Sequence, residues 1–215
     1  ITSIFEMPNT SPATIDEMEF QKKIKIAETN SWTNFAFFIG ACKANVYKLD
    51  ELEKMKGCAG IKIFMGSSTG NLLISEEKDL EIALKTCKRR VAIHSEDEKR
   101  LIERFKTINK SNGVLEHEKW RDSLSAIIST KKVLKYAKKY NTKAHILHIS
   151  TADEIQLLQN KGKFITVEVT PQHLTLFSPD CYNKLGTLAQ MNPPIRSLEH
   201  QKGLWKGVSN GTVDV

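Results

Sequence analysis

No apolar run in this chain of 215 residues approaches the roughly 18 that a membrane-spanning helix needs. The chain lacks an initiator methionine, and its opening Ile1-Thr2-Ser3-Ile4-Phe5 reads as a strand rather than a signal peptide, so a piece of a longer chain is expected. Cysteine is sparse. Cys42, Cys58, Cys87 and Cys181 lie far apart and form no C-x-x-C pair, which predicts reduced thiols in a cytoplasmic protein. There is no G-x-G-x-x-G and no Walker A sequence, which weakens a nucleotide-binding doubly wound sheet. No basic stretch is interleaved with aromatics, and this speaks against nucleic acid as the partner.

What is present is enough apolar material, 40% of residues, for one sizeable core, and an excess of base, 32 Lys and Arg against 25 acids. The net charge of +7 is concentrated in helical segments such as Lys131-Lys132 to Lys138-Lys139, where solvated helix faces account for it.

Along the chain, short apolar runs alternate with helical patterns. Strands are expected at Ile1–Met7, Asn34–Gly40, Gly60–Gly66, Val91–Glu96, Ala144–Ser150 and Phe164–Val169, with Gly211–Val215 opening another. Helices are expected over Ile15–Asn30, Leu49–Gly57 with Gly57 as its cap, a segment opened by Ser75 as N-cap, Glu96–Lys106, Arg121–Tyr140, a segment from Thr151 to Asn160, and Gln201–Lys206. Asn109–Glu118 reads as a loop and Leu174–Met191 as irregular, while Ser67-Ser68-Thr69-Gly70 reads as a flexible loop. Strict alternation predicts parallel strands with right-handed crossovers, and hence a β/α barrel as one domain over 1–215, short of the usual length of about 250 residues.

The chemistry is expected at strand ends. Gly60-Ile61-Lys62-Ile63-Phe64-Met65-Gly66 places one lysine inside a buried strand, with Lys62 and Phe64 on the opposite face from Ile61 and Ile63. A buried ammonium must find a partner, lose its proton or be chemically changed. Two readings stand: a core lysine that snorkels to the rim or pairs with an acid, and an amine that adds CO2 to form a carbamate bridging two metal ions. His94 and His148 each end a strand and read either as hydrogen-bonded core histidines or as metal ligands. His145, three residues from His148, should face the other way and be structural. His117 and His200 have no site context, and His173, after a Pro turn, either lines the pocket or caps it.

In order, the chain carries Met7-Pro8-Asn9-Thr10, the lysine strand, Ile93-His94-Ser95-Glu96, His148-Ile149-Ser150, Glu168-Val169-Thr170-Pro171-Gln172-His173-Leu174 and Asn192-Pro193-Pro194-Ile195-Arg196. The ordered set resembles the dihydroorotases of the cyclic amidohydrolase superfamily. The resemblance implies a (β/α)8 TIM-type barrel of the metal-dependent amidohydrolase kind, incomplete at both ends, and reversible hydrolysis of dihydroorotate to carbamoyl aspartate in pyrimidine synthesis. It implies two zinc ions, Lys62 carboxylated and bridging them, His94 and His148 on one ion, and Asn9, Asn192 and His173 toward the substrate. Relatives often have a second histidine where Gln172 stands. Two family features have no counterpart here: an H-x-H-x-R run before Ile1 and a general acid/base aspartate after Val215, so no catalytic acid/base is expected within the chain. Asp214 precedes that expected position. The resemblance also implies a homo-oligomer and aspartate transcarbamoylase as a partner. Rival readings are a sister enzyme acting on hydantoins, dihydropyrimidines or allantoin, and a non-catalytic scaffold.

Overall fold

The computed structural model describes residues 1–67 and 72–215. The loop reading of Ser68-Thr69-Gly70 lies outside the described residues. Six strands form one parallel sheet in sequential order: β1 (Ser3–Glu6), β2 (Asn34–Gly40), β3 (Cys58–Phe64), β4 (Arg90–His94), β5 (Ala144–Ile146) and β6 (Ile165–Val167). Each neighbouring pair is parallel, as the β-α alternation requires. Val213–Val215 continue the edge, since Asp214 N–H donates to Val167 O (3.0 Å) and Val169 N–H to Val215 O (3.0 Å).

The crossovers carry α1 (Glu17–Asn30), α2 (Leu49–Leu52), α3 (Glu77–Thr86), α4 (Glu98–Phe105), α5 (His117–Trp120), α6 (Ser123–Tyr140) and α7 (Ala152–Leu158). After β6 come α8 (Pro171–Thr175), α9 (Asp180–Leu185) and α10 (Leu198–Ser209). Local chemistry starts several of them. Asp16, Asp97, Asp122 and Thr151 each accept a backbone N–H from three residues on, at α1, α4, α6 and α7. Asn141 closes α6 in the left-handed conformation.

Strand alternation divides the sheet into two faces. Ile61, Ile63, Val91, Ile93, Ala144, Ile146, Ile165 and Val167 point outward and pack on Leu80, Ala83 and Leu84 of α3, Val133, Leu134 and Ala137 of α6, and Ile155 and Leu158 of α7. Each fully buried isoleucine there contributes about 1.5–3 kcal/mol. The inner face has a small apolar cluster of Phe38, Ala92 and Leu147. It also carries the polar residues of the candidate site.

Several boundaries differ from the sequence reading. Ser75 does not cap α3; Glu76 occupies that position without a side-chain cap bond. Helix α2 ends at Leu52, and Gly57 (φ +87°) serves the turn into β3 instead. The expected loop 109–118 holds a 3-10 turn (Lys110–Glu116) and α5. The expected irregular stretch holds α9 and another 3-10 turn (Gly186–Ala189). These short helices lack apolar periodicity because tertiary contacts hold them: Tyr182 packs on Ile195 and Ala189 and donates its hydroxyl to Ile195 O (3.0 Å).

Candidate metal and substrate site

Lys62 lies on β3 and pairs in register with Ala92 of β4, which pairs with His145 of β5. The three side chains therefore share the inner face, and His94, two residues beyond Ala92, shares it too. The Lys62 ammonium is 2% exposed, as the run of apolar neighbours requires. Its Nζ donates to Ile63 O (3.0 Å) and sits 3.6 Å from the centre of the Phe64 ring. Burial drives its pKa well below the lysine range, against the opposing charge of Glu168. The snorkelling reading is thus not realised, and the environment favours a neutral amine.

His94 ends β4, and its imidazole meets that of His148 edge to face, with centroids 4.9 Å apart and Nδ1 of His94 3.2 Å from Nε2 of His148. His148 does not end a strand. β5 stops at Ile146, and His148 lies two residues beyond with φ +40°, a strained value for a non-glycine residue. Its N–H donates to Glu168 Oε1 (3.2 Å), which holds the turn. That turn corrects the expectation for His145. It shares the inner face with His148, and its ring contacts Thr166 Oγ1 (2.8 Å) and Glu168 Oε2 (3.1 Å). The structural role expected of it stands, but the opposite orientation does not. Burial lowers the pKa of both His94 and His148, and at His148 the charges of His94 and Lys62 lower it further. Both imidazoles are neutral near pH 7, the form that ligates metal.

The chemistry of the donors fits a divalent ion. Two ring nitrogens 3.2 Å apart match the span of two ligands at about 2.0–2.1 Å from one zinc ion. Among the described residues no group of three or more His, Cys, Asp or Glu could hold a metal. His94 and His148 thus stand as a pair of donors, without a third of these residue types grouped with them among the described residues.

Behind His94 stands a buried ionic pair that the sequence reading did not single out. Glu96 Oε2 lies 2.8 Å from His94 Nε2, and Arg121 clasps the same carboxylate through Nε and Nη2. Burial alone would raise the Glu96 pKa, but the His94 hydrogen bond and the Arg121 charge hold it well below the usual carboxylate range. The signal for Glu96 was its i+2 position after His94; for Arg121 there was none, since it was read as part of the long helix and instead lies in the turn before it.

The expected substrate residues occupy the loops. Asn9 and Asn192 are exposed. A cavity of about 840 Å³ opens beside Thr10, Pro12, Cys42, Lys43 and Leu72, next to the Asn9 loop. None of Lys62, His94 and His148 lines it. His173 is buried in α8. Its Nε2–H donates to Pro193 O (3.1 Å) and its Nδ1 accepts from the Thr170 hydroxyl (2.7 Å), so it caps and anchors the segment that follows Asn192. Gln172 is exposed. His117 is buried rather than idle in a polar loop: its Nε2 lies 2.8 Å from Met191 O and fixes the same segment from the other side. His200 Nδ1 accepts the N–H of Ala152 (3.1 Å) at the start of α7.

No family model matches the chain. It is 34% identical over 227 residues to a dihydroorotase from Methanosarcina mazei, covering 100% of this chain and 49% of that one. It is 28% identical over 228 residues to an allantoinase from Escherichia coli, covering 100% of this chain and 50% of that one. The L-hydantoinase (dihydropyrimidinase) from Arthrobacter aurescens superposes with a TM-score of 0.91 at 24% identity, over 100% of this chain and 49% of that one. At that identity the superposition shows the fold: a parallel α/β sheet matching part of an amidohydrolase barrel. The chain spans about half the length of the curated relatives it matches. Along its whole length it is thus homologous to the dihydroorotases, and more distantly to their sister cyclic amidohydrolases.

Proposed function

We propose that the protein containing this chain is a zinc-dependent dihydroorotase, which opens the cyclic amide of dihydroorotate to carbamoyl aspartate and closes it in reverse, in pyrimidine synthesis. Residues 1–215 then form part of a single (β/α)8 barrel domain. The observation that carries this reading is the convergence of Lys62, His94 and His148 on one face of the sheet in a chain that matches dihydroorotases from end to end. A scaffold homologue would have no need of a buried lysine beside two neutral imidazoles.

In this reading His94 and His148 would hold one ion, and Lys62, as a carbamate, would be the anionic donor shared with a second. Ions at such a site lower the pKa of bound water toward neutrality and polarise the amide carbonyl. The chain supplies the setting. Burial lowers the Lys62 pKa and so favours the neutral amine, whose nitrogen lone pair would add to the carbon of CO2 with release of a proton. Phe64 covers the amine and excludes water from it. Asn9 and Asn192 sit on exposed loops from which an amide can hydrogen-bond the substrate carboxylate and ring. His173 and His117 fix the backbone on either side of Asn192. The partners of this reading are the small-molecule substrate, further copies of the chain and an aspartate transcarbamoylase; the compartment is the cytoplasm. No helix is long and apolar enough to cross a membrane among the described residues.

The test is turnover by the full-length protein, loaded with zinc and bicarbonate, on dihydroorotate, hydantoin, dihydrouracil and allantoin in parallel. Dihydroorotate should be preferred in kcat/KM, and Asn9→Ala and Asn192→Ala should lower that value while zinc content stays intact. Preference for another ring would transfer the reading to a sister enzyme, and no turnover of any of them would remove it.

A further inference from the structure

We infer that Glu96 and Arg121 are positioning residues that hold His94 with its proton on Nε2, leaving the Nδ1 lone pair turned toward His148. The inference deepens the metal-site reading above and rests on it for its purpose, though its geometry stands alone.

An ionised carboxylate only accepts hydrogen bonds, so the 2.8 Å contact between Glu96 Oε2 and His94 Nε2 requires the proton on that nitrogen. Nδ1, 3.2 Å from His148 Nε2, is then the acceptor. With His94 Nδ1 accepting, His148 Nε2–H donates across this gap; an ion held there would require His148 to carry its proton on Nδ1 instead. Left to itself, an imidazole would exchange between tautomers, and the one with Nδ1–H cannot ligate through Nδ1.

Glu96 is itself held against rotation. Arg121 is 1% exposed, and its Nε lies 3.2 and 3.0 Å from the two carboxylate oxygens. Its Nη1 and Nη2 each donate to Ser67 O at 3.2 Å, close to the end of the lysine strand. Its own carbonyl accepts from Arg196 Nη1 (2.9 Å), and Arg196 Nε reaches Ser150 Oγ (2.9 Å), just past His148. The Arg121 guanidinium thus ties together the segments following β3 and β4, and its backbone carbonyl, through Arg196, reaches the one following β5. Only a planar fork with several donors can do this; a lysine would supply a single point of attachment. An ion pair that merely filled space could be exchanged for apolar residues at little cost. A pair that sets a tautomer could not.

The experiment uses full-length protein with ¹⁵N-labelled histidine, stripped of metal by chelation, with His94→Gln to assign the signals. NMR of the imidazole nitrogens should show His94 protonated at Nε2 and bare at Nδ1. In Glu96→Ala and Arg121→Met the two tautomers should mix, and zinc affinity by chelator competition should fall about 10–100-fold, the range for outer-shell partners. Arg121→Lys should fall between wild type and Arg121→Met in both readouts. A wild-type His94 carrying its proton on Nδ1 overturns the inference, and this holds even if the variants fail to fold. So do folded variants with unchanged nitrogen signals and unchanged zinc affinity. A wild-type protein with the Nε2–H tautomer that binds no zinc would instead remove the metal reading and leave the orientation of His94 supported.

Discussion

Single residues carry the sharpest expectations. Lys62→Ala in the full-length protein should abolish dihydroorotate turnover, because alanine has no amine on which the carbamate could form. The loss should exceed the ~10–100-fold typical of an outer-shell change, and a short-chain carboxylic acid should restore part of it. Turnover and metal content equal to wild type would end the bridging role. His173 gives a pH prediction. Burial depresses its pKa from 6.5 to about 4, so the unfolded chain binds more protons than the folded one between those values. Stability contributed by the neutral ring is complete above pH 6.5 and is lost as pH falls toward 4, by roughly 3 kcal/mol in all. Urea unfolding of wild type and His173→Gln from pH 7 to 4 should show the variant losing less over this window; parallel curves would refute the assignment. At this scale the sequence showed that Lys62 and His94 are buried, because ionisable side chains stand out against apolar neighbours. It was a poor guide to His173, whose two nitrogens are satisfied by groups 3 and 20 residues away.

At the scale of elements, the site depends on the register between β3 and β4. Gly60 pairs with Arg90 at φ +150°, and a Cβ there would lie 2.1 Å from Arg90 O. No side chain can yield to relieve that contact, since the clash is with backbone. Gly60→Ala should therefore destabilise the full-length protein by about 3 kcal/mol or more in denaturant unfolding, and should lower zinc affinity by displacing Lys62 relative to His94. Stability within about 0.5 kcal/mol of wild type would show that the strands slide without cost. The strands and longer helices were legible because period-2 and period-3.6 patterns report burial on a face. The short helices α5, α8 and α9 were not, because they bury few residues and are held by partners distant in the chain.

For the whole molecule, residues 1–215 match about half the length of the relatives, and their first strand is open. β1 is mostly exposed, with Ile4 at 50% and Phe5 at 63%. An exposed apolar edge of this kind favours pairing between chains. Produced alone, residues 1–215 should self-associate, take up no more than one zinc ion per chain through His94 and His148, and hydrolyse dihydroorotate at less than a tenth of the full-length rate. Light scattering, metal analysis and the hydrolysis assay measure the three. Full turnover by a monomeric preparation would force a different set of catalytic residues.

By itself the sequence determined the alternation of parallel strands and helices, because side-chain periodicity is a local property, and it determined which lysine and histidine had to be explained, because an ionisable group in an apolar strand is costly wherever it sits. Only the tertiary structure decided the rest. It ended β5 at Ile146 and swung His148 through a left-handed turn onto Glu168, so that His145 and His148 share one face. It also brought Arg121 against Glu96, 25 residues apart, and Arg196 against Arg121, 75 apart. Such pairings depend on how buried charges find partners across the fold, and no local pattern encodes that.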